Sequence, residues 1–347
     1  MSHLNYAEAG VVGLLQGITE LFPISSLGHA VLIPAIVGGQ WAQDLNVSAK
    51  ESPYLAFIVG LHVATALAMI IYFWRDWIRL IRAFFASLGH LASPEPGTRR
   101  LQPQGVDQTL AWMIILGTIP VGLAGLALEH TFRTIFSKPI LTATFLFVNG
   151  LILLGGERLR RRGADETARQ LLADQQLAAD RQRAGVAAGG HGGGGRHSSG
   201  QRAVKQEHAS LAMAADQRVT RLGLLNGILL GASQILALLP GISRDGIVMV
   251  SGMFRGLSRQ DAARFSFLLS APVIFAAGLL KISDLTGPLG NGIRGEVLFG
   301  SVLSGLGAYF ALRFLDRYLS NPARTLTPFA IYCLAAGAGC FIYLAVK

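Results

Sequence analysis

Residues 13–29, GLLQGITELFPISSLGH, and residues 231–247, GASQILALLPGISRDGI, set both the fold and the chemistry of this chain. Each stretch is apolar except for a few residues of catalytic type: Gln16, Glu20, Ser25, Ser26 and His29 in the first, Gln234, Ser243, Arg244 and Asp245 in the second. Polar and ionisable groups at bilayer depth are expensive and mark function. A constant offset of 218 residues superposes Gly13 on Gly231, Gln16 on Gln234, Ser25 on Ser243 and Gly28 on Gly246. Pro23 and Pro240 interrupt the surrounding segments, about 8–38 and 222–256, leaving halves of roughly ten to fifteen residues, too short to cross a bilayer. Both segments therefore read as re-entrant helical hairpins; the alternative is one kinked crossing each.

The rest of the chain is 51% hydrophobic and 14% charged with a mean hydropathy of +0.46, which makes it a membrane protein before any motif is considered. Full spans are predicted at about 54–73, 110–128, 139–156, 264–282, 295–313 and 327–346. Three crossings follow each hairpin, and an odd number turns the second unit upside down. The prediction is an all-α polytopic membrane protein, with six transmembrane helices and two re-entrant hairpins in an inverted-topology repeat. Residues 1–156 form the first repeat, 157–221 a loop, and 222–347 the second repeat.

A net charge of +10 does not indicate a nucleic-acid partner here, because the basic residues crowd into loops between helices. Arg75, Arg79, Arg82, Arg99 and Arg100 follow the first crossing, and residues 157–221 hold twelve Lys and Arg, so both loops read as cytoplasmic. Arg317 and Arg324 fall on the same side by counting crossings. Both termini of this multi-pass protein then lie outside the cytoplasm. The first hairpin enters from the outer side and the second from the cytoplasmic side, with their tips meeting near the midplane. The long loop begins as a charged helix and passes into AGGHGGGGRHSSG (residues 188–200), a disordered composition in which His191, His197 and the later His208 read as incidental rather than as a metal site. Cys333 and Cys340 share one face of the last apolar segment and read as packing residues. The first apolar stretch lacks a basic lead and cleavage site, and reads as mature protein.

Gln16 and Glu20 stand four apart, which puts an amide and a carboxylate on one helical face, while Gly13 and Gly17 admit a neighbouring backbone. Ser25 and Ser26 follow Pro23 and precede an apolar helix, the position of N-caps whose nearby amides form an anion site. His29, three residues past Ser26, faces it on a helix and is a candidate base for its hydroxyl. Arg244, after Ser243, supplies a permanent cation at the matching helix start, where guanidinium and amides grip a phosphate. The bland alternatives are a structural hydrogen bond for Glu20, a structural role for His29, and a salt bridge from Arg244 to Glu20 or Asp245. Taken together, the set describes a site for a phosphorylated lipid reached laterally between helices. Glu20 and Gln16 also permit a divalent ion, Mg²⁺ or Ca²⁺, against phosphate oxygens.

At these residues the chain resembles the undecaprenyl-diphosphate phosphatase family of the bacitracin-resistance type, integral membrane enzymes of bacteria. The first family motif, Glu or Gln, three residues, Glu, then PxSSxGH, stands here as QGITELFPISSLGH, and the second, PGxSR, as PGISR at Pro240 to Arg244. Further likeness lies in FSFLLSAP at Phe265 to Pro272, FWR at Phe73 to Arg75 and PFAIY at Pro328 to Tyr332. The resemblance implies removal of the terminal phosphate of undecaprenyl diphosphate outside the cytoplasm, regenerating the carrier lipid for cell-wall synthesis and conferring bacitracin resistance. It implies Ser26 as nucleophile, His29 as its acid/base partner, Gln16 and Glu20 around metal or water, and Arg244 as diphosphate clamp. Ser25, Gly241, Ser243 and Asp245 complete the expected substrate contacts.

Three residues depart from the family pattern, which usually has Thr at Leu27, Ser at Asp245 and Thr at Val248; the added carboxylate beside Arg244 repels phosphate unless it binds metal or orients the arginine. The rival class is a non-hydrolytic lipid or solute transporter using the same inverted-repeat cavity. A channel fits less well, since no ring of like residues is evident. The oligomeric state stays open, a homodimer included.

Overall fold

Asn5 accepts the N–H of Glu8 at 2.9 Å while the Glu8 carboxylate accepts the N–H of Asn5 at 3.0 Å, a reciprocal cap that starts helix α1, Tyr6–Leu21. In the computed structural model, which describes residues 4–45, 53–92, 105–131, 138–184, 212–280, 287 and 292–347, helices follow one another and no strand occurs among the described residues. The order is α2 (Ser26–Val37), α3 (Gly39–Asp44), α4 (Pro53–Tyr72), α5 (Trp74–Ala92), α6 (Val106–Thr131), α7 (Pro139–Ala184), α8 (Ala212–Thr220), α9 (Leu224–Ala232), a 3-10 turn (Ser233–Leu238), α10 (Arg244–Phe254), α11 (Arg259–Leu280), α12 (Arg294–Leu319) and α13 (Thr327–Val346).

Five segments are long and apolar enough to cross a bilayer: Val106–Leu128, Pro139–Arg161, Arg259–Leu280, Arg294–Leu319 and Thr327–Val346. The sixth expected crossing, 54–73, coincides with α4, which bends by 83° into α5. The arginines between 75 and 100 suggest a basic loop, but α5 makes this stretch helical as far as Ala92. Trp74, Ile78, Ile81, Phe85 and Leu88 form an exposed apolar row along it, while Leu80 and Ser87 turn inward, the period of an amphipathic helix rather than a span. α7 continues beyond the membrane-length stretch into the charged segment, as its composition implied. The Gly-rich tract and its histidines lie outside the described residues.

Both proline-bearing segments are broken helices. α1 and α2 are separated at Phe22–Ser25, and α9 tightens into the 3-10 turn before the chain breaks at Leu239–Ser243. The structure gives three of the four matching pairs a common physical meaning; the fourth diverges, since Gln16 donates to Glu20 whereas Gln234 donates to the Gly231 carbonyl. Ser25 caps α2 by accepting the Gly28 N–H at 3.2 Å, and Ser243 caps α10 by accepting the Gly246 N–H at 3.1 Å. Gly13 and Gly231 are helix-crossing points: α1 lies along α12, where a Cβ on Gly13 would come within 2.8 Å of the Gly300 Cα, and α9 lies along α6 with Gly231 against the Gly117 backbone. The first arm of each hairpin thus leans on a helix from the other half of the chain.

One end of the helices is fastened by charge. Arg264 on α11 binds Asp216 at 3.0 Å and Asp76 at 2.8 Å, Arg79 reaches Asp107 at 3.0 Å, and Arg218 grips Asp261 through two nitrogens at 2.7 and 2.8 Å. These pairs tie α5, α6 and α8 to α11 and leave the hairpin tips free to form the site deeper in the fold.

Candidate active site

The two hairpin tips touch. Ser25 sits at φ +67°, a left-handed conformation rare outside glycine, and its Oγ accepts both the Gly28 N–H of its own helix and the Gly241 N–H of the other hairpin, each at 3.2 Å. Gly241, itself at φ +112°, lies flat on α7, where a Cβ would come within 2.6 Å of the Leu146 nitrogen; no other residue fits there. This contact brings the starts of α2 and α10 side by side. Each start presents backbone N–H groups and the positive end of a helix dipole, a setting made for anions.

Glu20, at the end of α1, is the centre of the polar cluster. Its Oε2 accepts from the Gln16 amide at 2.8 Å and from the Ser26 hydroxyl, and its Oε1 accepts from the Arg244 guanidinium at 2.6 Å. The predicted Gln16–Glu20 pairing on one face is therefore present, and Arg244 crosses from the second hairpin to the first. His62 on α4 adds its Nε2, 3.5 Å from Glu20 Oε2 and 3.2 Å from Gln16 Nε2. Glu20, Ser26, His62, Arg244 and Ser243 line one cavity of about 320 Å³, whose remaining wall is largely apolar and comes from the start of α2, α4, α6, the 3-10 turn with the break after it, and α11. Such a cavity suits a charged headgroup on a hydrocarbon chain. A recess of about 10 Å³, room for roughly one water molecule, opens beside Gln16, Ser26 and His29.

Three expectations are corrected. His29 is not the hydrogen-bond partner of Ser26: its Nδ1 meets the Ser25 carbonyl at 2.7 Å and its Nε2 the Tyr332 hydroxyl at 2.6 Å, whereas Ser26 donates to Glu20. A carbonyl only accepts, so Nδ1 carries the proton, and Nε2 is left to receive the Tyr332 hydroxyl. Asp245 does not line the cavity beside Arg244. Its Oδ1 accepts from Ser266 and Ser270, both at 2.7 Å, so its buried carboxylate fastens α10 to α11. The Gly241 amide, expected to bind substrate, is likewise taken by Ser25. Of the other two departures from the family motif, Leu27 adds an apolar side chain to the cavity wall and Val248 is buried in the core.

Three polar residues of the site went unnoticed in the sequence. His62 stands alone in PYLAFIVGLHVATALAMIIY, and a lone imidazole in a span is a signal in itself. Asn149 occupies the same kind of position in α7, donating to the Pro23 carbonyl at 2.9 Å and accepting the Ser243 N–H at 3.0 Å. Tyr332 lies in the PFAIY stretch, and its ring runs nearly parallel to that of His29, 6° apart.

Comparison with known proteins agrees with this geometry. The family described as "Bacitracin resistance protein BacA" matches residues 9–181 and 201–339. The chain is 53% identical over 346 residues to an undecaprenyl-diphosphatase of Mycolicibacterium paratuberculosis, covering 100% of this chain and 99% of that one. It is 48% identical over 367 residues to undecaprenyl-diphosphatase 2 of Frankia alni, with both chains covered in full, and 34% identical over 337 residues to undecaprenyl-diphosphatase 2 of Chromobacterium violaceum, covering 96% and 97%. With the two broken hairpins meeting at one polar cavity and both halves of the sequence matched, this chain belongs to the BacA bacitracin resistance protein family.

Proposed function

We propose that this chain is a membrane-embedded phosphatase that hydrolyses undecaprenyl diphosphate to undecaprenyl phosphate and inorganic phosphate, thereby conferring bacitracin resistance. The observation that carries this reading is the Glu20 carboxylate, which takes the Ser26 hydroxyl from one side and the Arg244 guanidinium from the other at the polar end of an apolar cavity. A nucleophile, a proton acceptor and a phosphate-binding cation are the parts that phosphoryl transfer needs, since catalysis there is mainly positioning and charge neutralisation. In this scheme Arg244 turns from Glu20 to the diphosphate, and Glu20 takes the Ser26 proton. Ser26 Oγ bonds the terminal phosphorus as the bond to the bridging oxygen breaks with its electron pair. Water then attacks that phosphorus, the Ser26 Oγ–P bond breaks with its electron pair going to Oγ, and Oγ takes back the proton held by Glu20 as inorganic phosphate leaves. His29, tied to Ser25 and Tyr332, orders the start of α2 in this scheme, and the apolar wall holds the first part of the prenyl chain.

Among the described residues no group of three or more His, Cys, Asp and Glu is disposed to hold a metal. Gln16 and Glu20 offer one amide and one carboxylate, so Mg²⁺ or Ca²⁺ would complete its shell from diphosphate oxygens and water. Bound there, the ion would neutralise charge on the phosphoryl oxygens. We further place the protein in the bacterial inner membrane with the site open to the outer side. The Lys and Arg distribution supports that sidedness, and the exchanged contacts of α1 with α12 and of α9 with α6 support an inverted repeat. Phosphate release from undecaprenyl diphosphate by the purified protein, with and without Mg²⁺ or Ca²⁺, tests the reading. Release that Glu20→Ala and Arg244→Ala both abolish is expected; no release from folded parent protein refutes hydrolysis and returns the transporter alternative.

A further inference from the structure

Breaking a helix inside a bilayer frees backbone groups that have no water to turn to. The break in the first hairpin exposes the Pro23 carbonyl, and the break in the second exposes the Ser243 N–H. One side chain serves both: Asn149, with 0% exposure, donates from Nδ2 to Pro23 and accepts at Oδ1 from Ser243, at 2.9 and 3.0 Å. The orientation of the amide is fixed, because a carbonyl can only accept and an N–H can only donate. The Cys333 thiol, 3.3 Å from Nδ2, closes the pocket around it. Pro23 lies midway between Glu20 and Ser26, and Ser243 directly precedes Arg244. Asn149 therefore spans the seam between the half of the site that carries carboxylate and hydroxyl and the half that carries the cation. The only other hydrogen bond between the two tips' backbones and side chains, apart from the Arg244–Glu20 pair, is that of Ser25 with Gly241 among the described residues.

We propose that Asn149 is a positioning residue of the reaction: by binding both helix breaks at once it sets the register of Ser26 and Glu20 against Arg244, without touching substrate. The inference rests on the phosphatase reading given above. Asn149→Asp and Asn149→Leu separate it from a plain packing role. An aspartate carboxylate still accepts from Ser243 but cannot donate to Pro23 until it is protonated, whereas leucine does neither. For Asn149→Asp, kcat is expected to fall at least about tenfold with a smaller change in KM once the introduced carboxyl is ionised, and to recover relative to the parent as the pH is lowered through its pKa, which burial holds above the ordinary aspartate value of about 3.9. Asn149→Leu is expected to stay low across that range. Arg244→Lys is expected to cost less in the Asn149→Asp background at about pH 8 than in the parent, because the cation is already out of register. Equal losses from Arg244→Lys in both backgrounds, or a kcat for folded Asn149→Asp that follows the parent's pH profile over the whole range in which the parent turns over, overturn the proposal. If Asn149→Leu does not fold, the pH dependence of Asn149→Asp decides alone. A parent that releases no phosphate fails the phosphatase reading instead, a result distinct from either outcome for Asn149.

Discussion

Removing only the charge of Glu20 should destabilise the protein more than removing Glu20 and Arg244 together. The Glu20 side chain is 6% exposed and that of Arg244 16%, with the two 2.6 Å apart and the Arg244 Nε lacking any hydrogen-bond partner. Breaking a buried pair by deleting one member leaves an uncompensated charge and costs about 3–5 kcal/mol, whereas replacing both members with neutral side chains of similar size is close to neutral. At roughly 2 °C per kcal/mol for a chain of this size, Glu20→Gln and Arg244→Met should each lower Tm by about 6–10 °C. The double variant should lie within about 3 °C of the parent. Activity should not follow: each single and the double should lose at least about a hundredfold in phosphate release, since the proton acceptor and the phosphate-binding cation are needed separately. Thermal unfolding in detergent, with turnover measured below the lowest Tm, checks both statements. A double variant whose Tm falls by the sum of the two singles would show that the two residues are not a coupled buried pair, and the electrostatic account of the site would be wrong.

Ser26→Ala should abolish turnover while leaving undecaprenyl diphosphate binding within about threefold, read by phosphate release and by equilibrium binding. Asp245→Ala strands the Ser266 and Ser270 hydroxyls in the core and should cost about 2 kcal/mol of stability with KM unchanged; a lower KM would mean that the carboxylate repels the diphosphate after all. Gly13→Val should drive α1 off α12 and lose about 2 kcal/mol or more, visible as a lower Tm and poorer monodispersity. His62→Ala should lower kcat by about tenfold through misplacement of Glu20 and Gln16, with Tm little changed.

The broken hairpins were legible because proline and a cluster of polar residues interrupt apolar sequence, and the repeated Ser and Gly positions announced caps that the structure then displays at Ser25 and Ser243. The Gln16–Glu20 face followed from helical spacing alone. What spacing along one helix cannot supply is the partner on another. His29 stands at the right distance in sequence to meet Ser26, yet the Tyr332 hydroxyl, 303 residues away, takes its Nε2. Adjacency in sequence ties Asp245 to the chemistry of Arg244, but successive residues on a helix point about 100° apart, and its carboxylate turns to α11. α5 was hidden by its arginines, which suggested a loop although the apolar residues between them keep a helical period.

The shared cap of Ser25 also bears on how the protein is made. Its two N–H donors lie 3 and 216 residues further along the chain. At roughly 5–20 residues per second, the second donor leaves the ribosome on the order of ten to forty seconds after the serine that awaits it. Until then the first hairpin has a strained residue, a serine oxygen with one of its two donors and a carboxylate with no arginine, all inside the insertion machinery or the lipid. The polar cluster therefore comes into being only as the last third of the polypeptide is threaded, so a truncated product of stalled translation carries Glu20 and Ser26 but never Arg244.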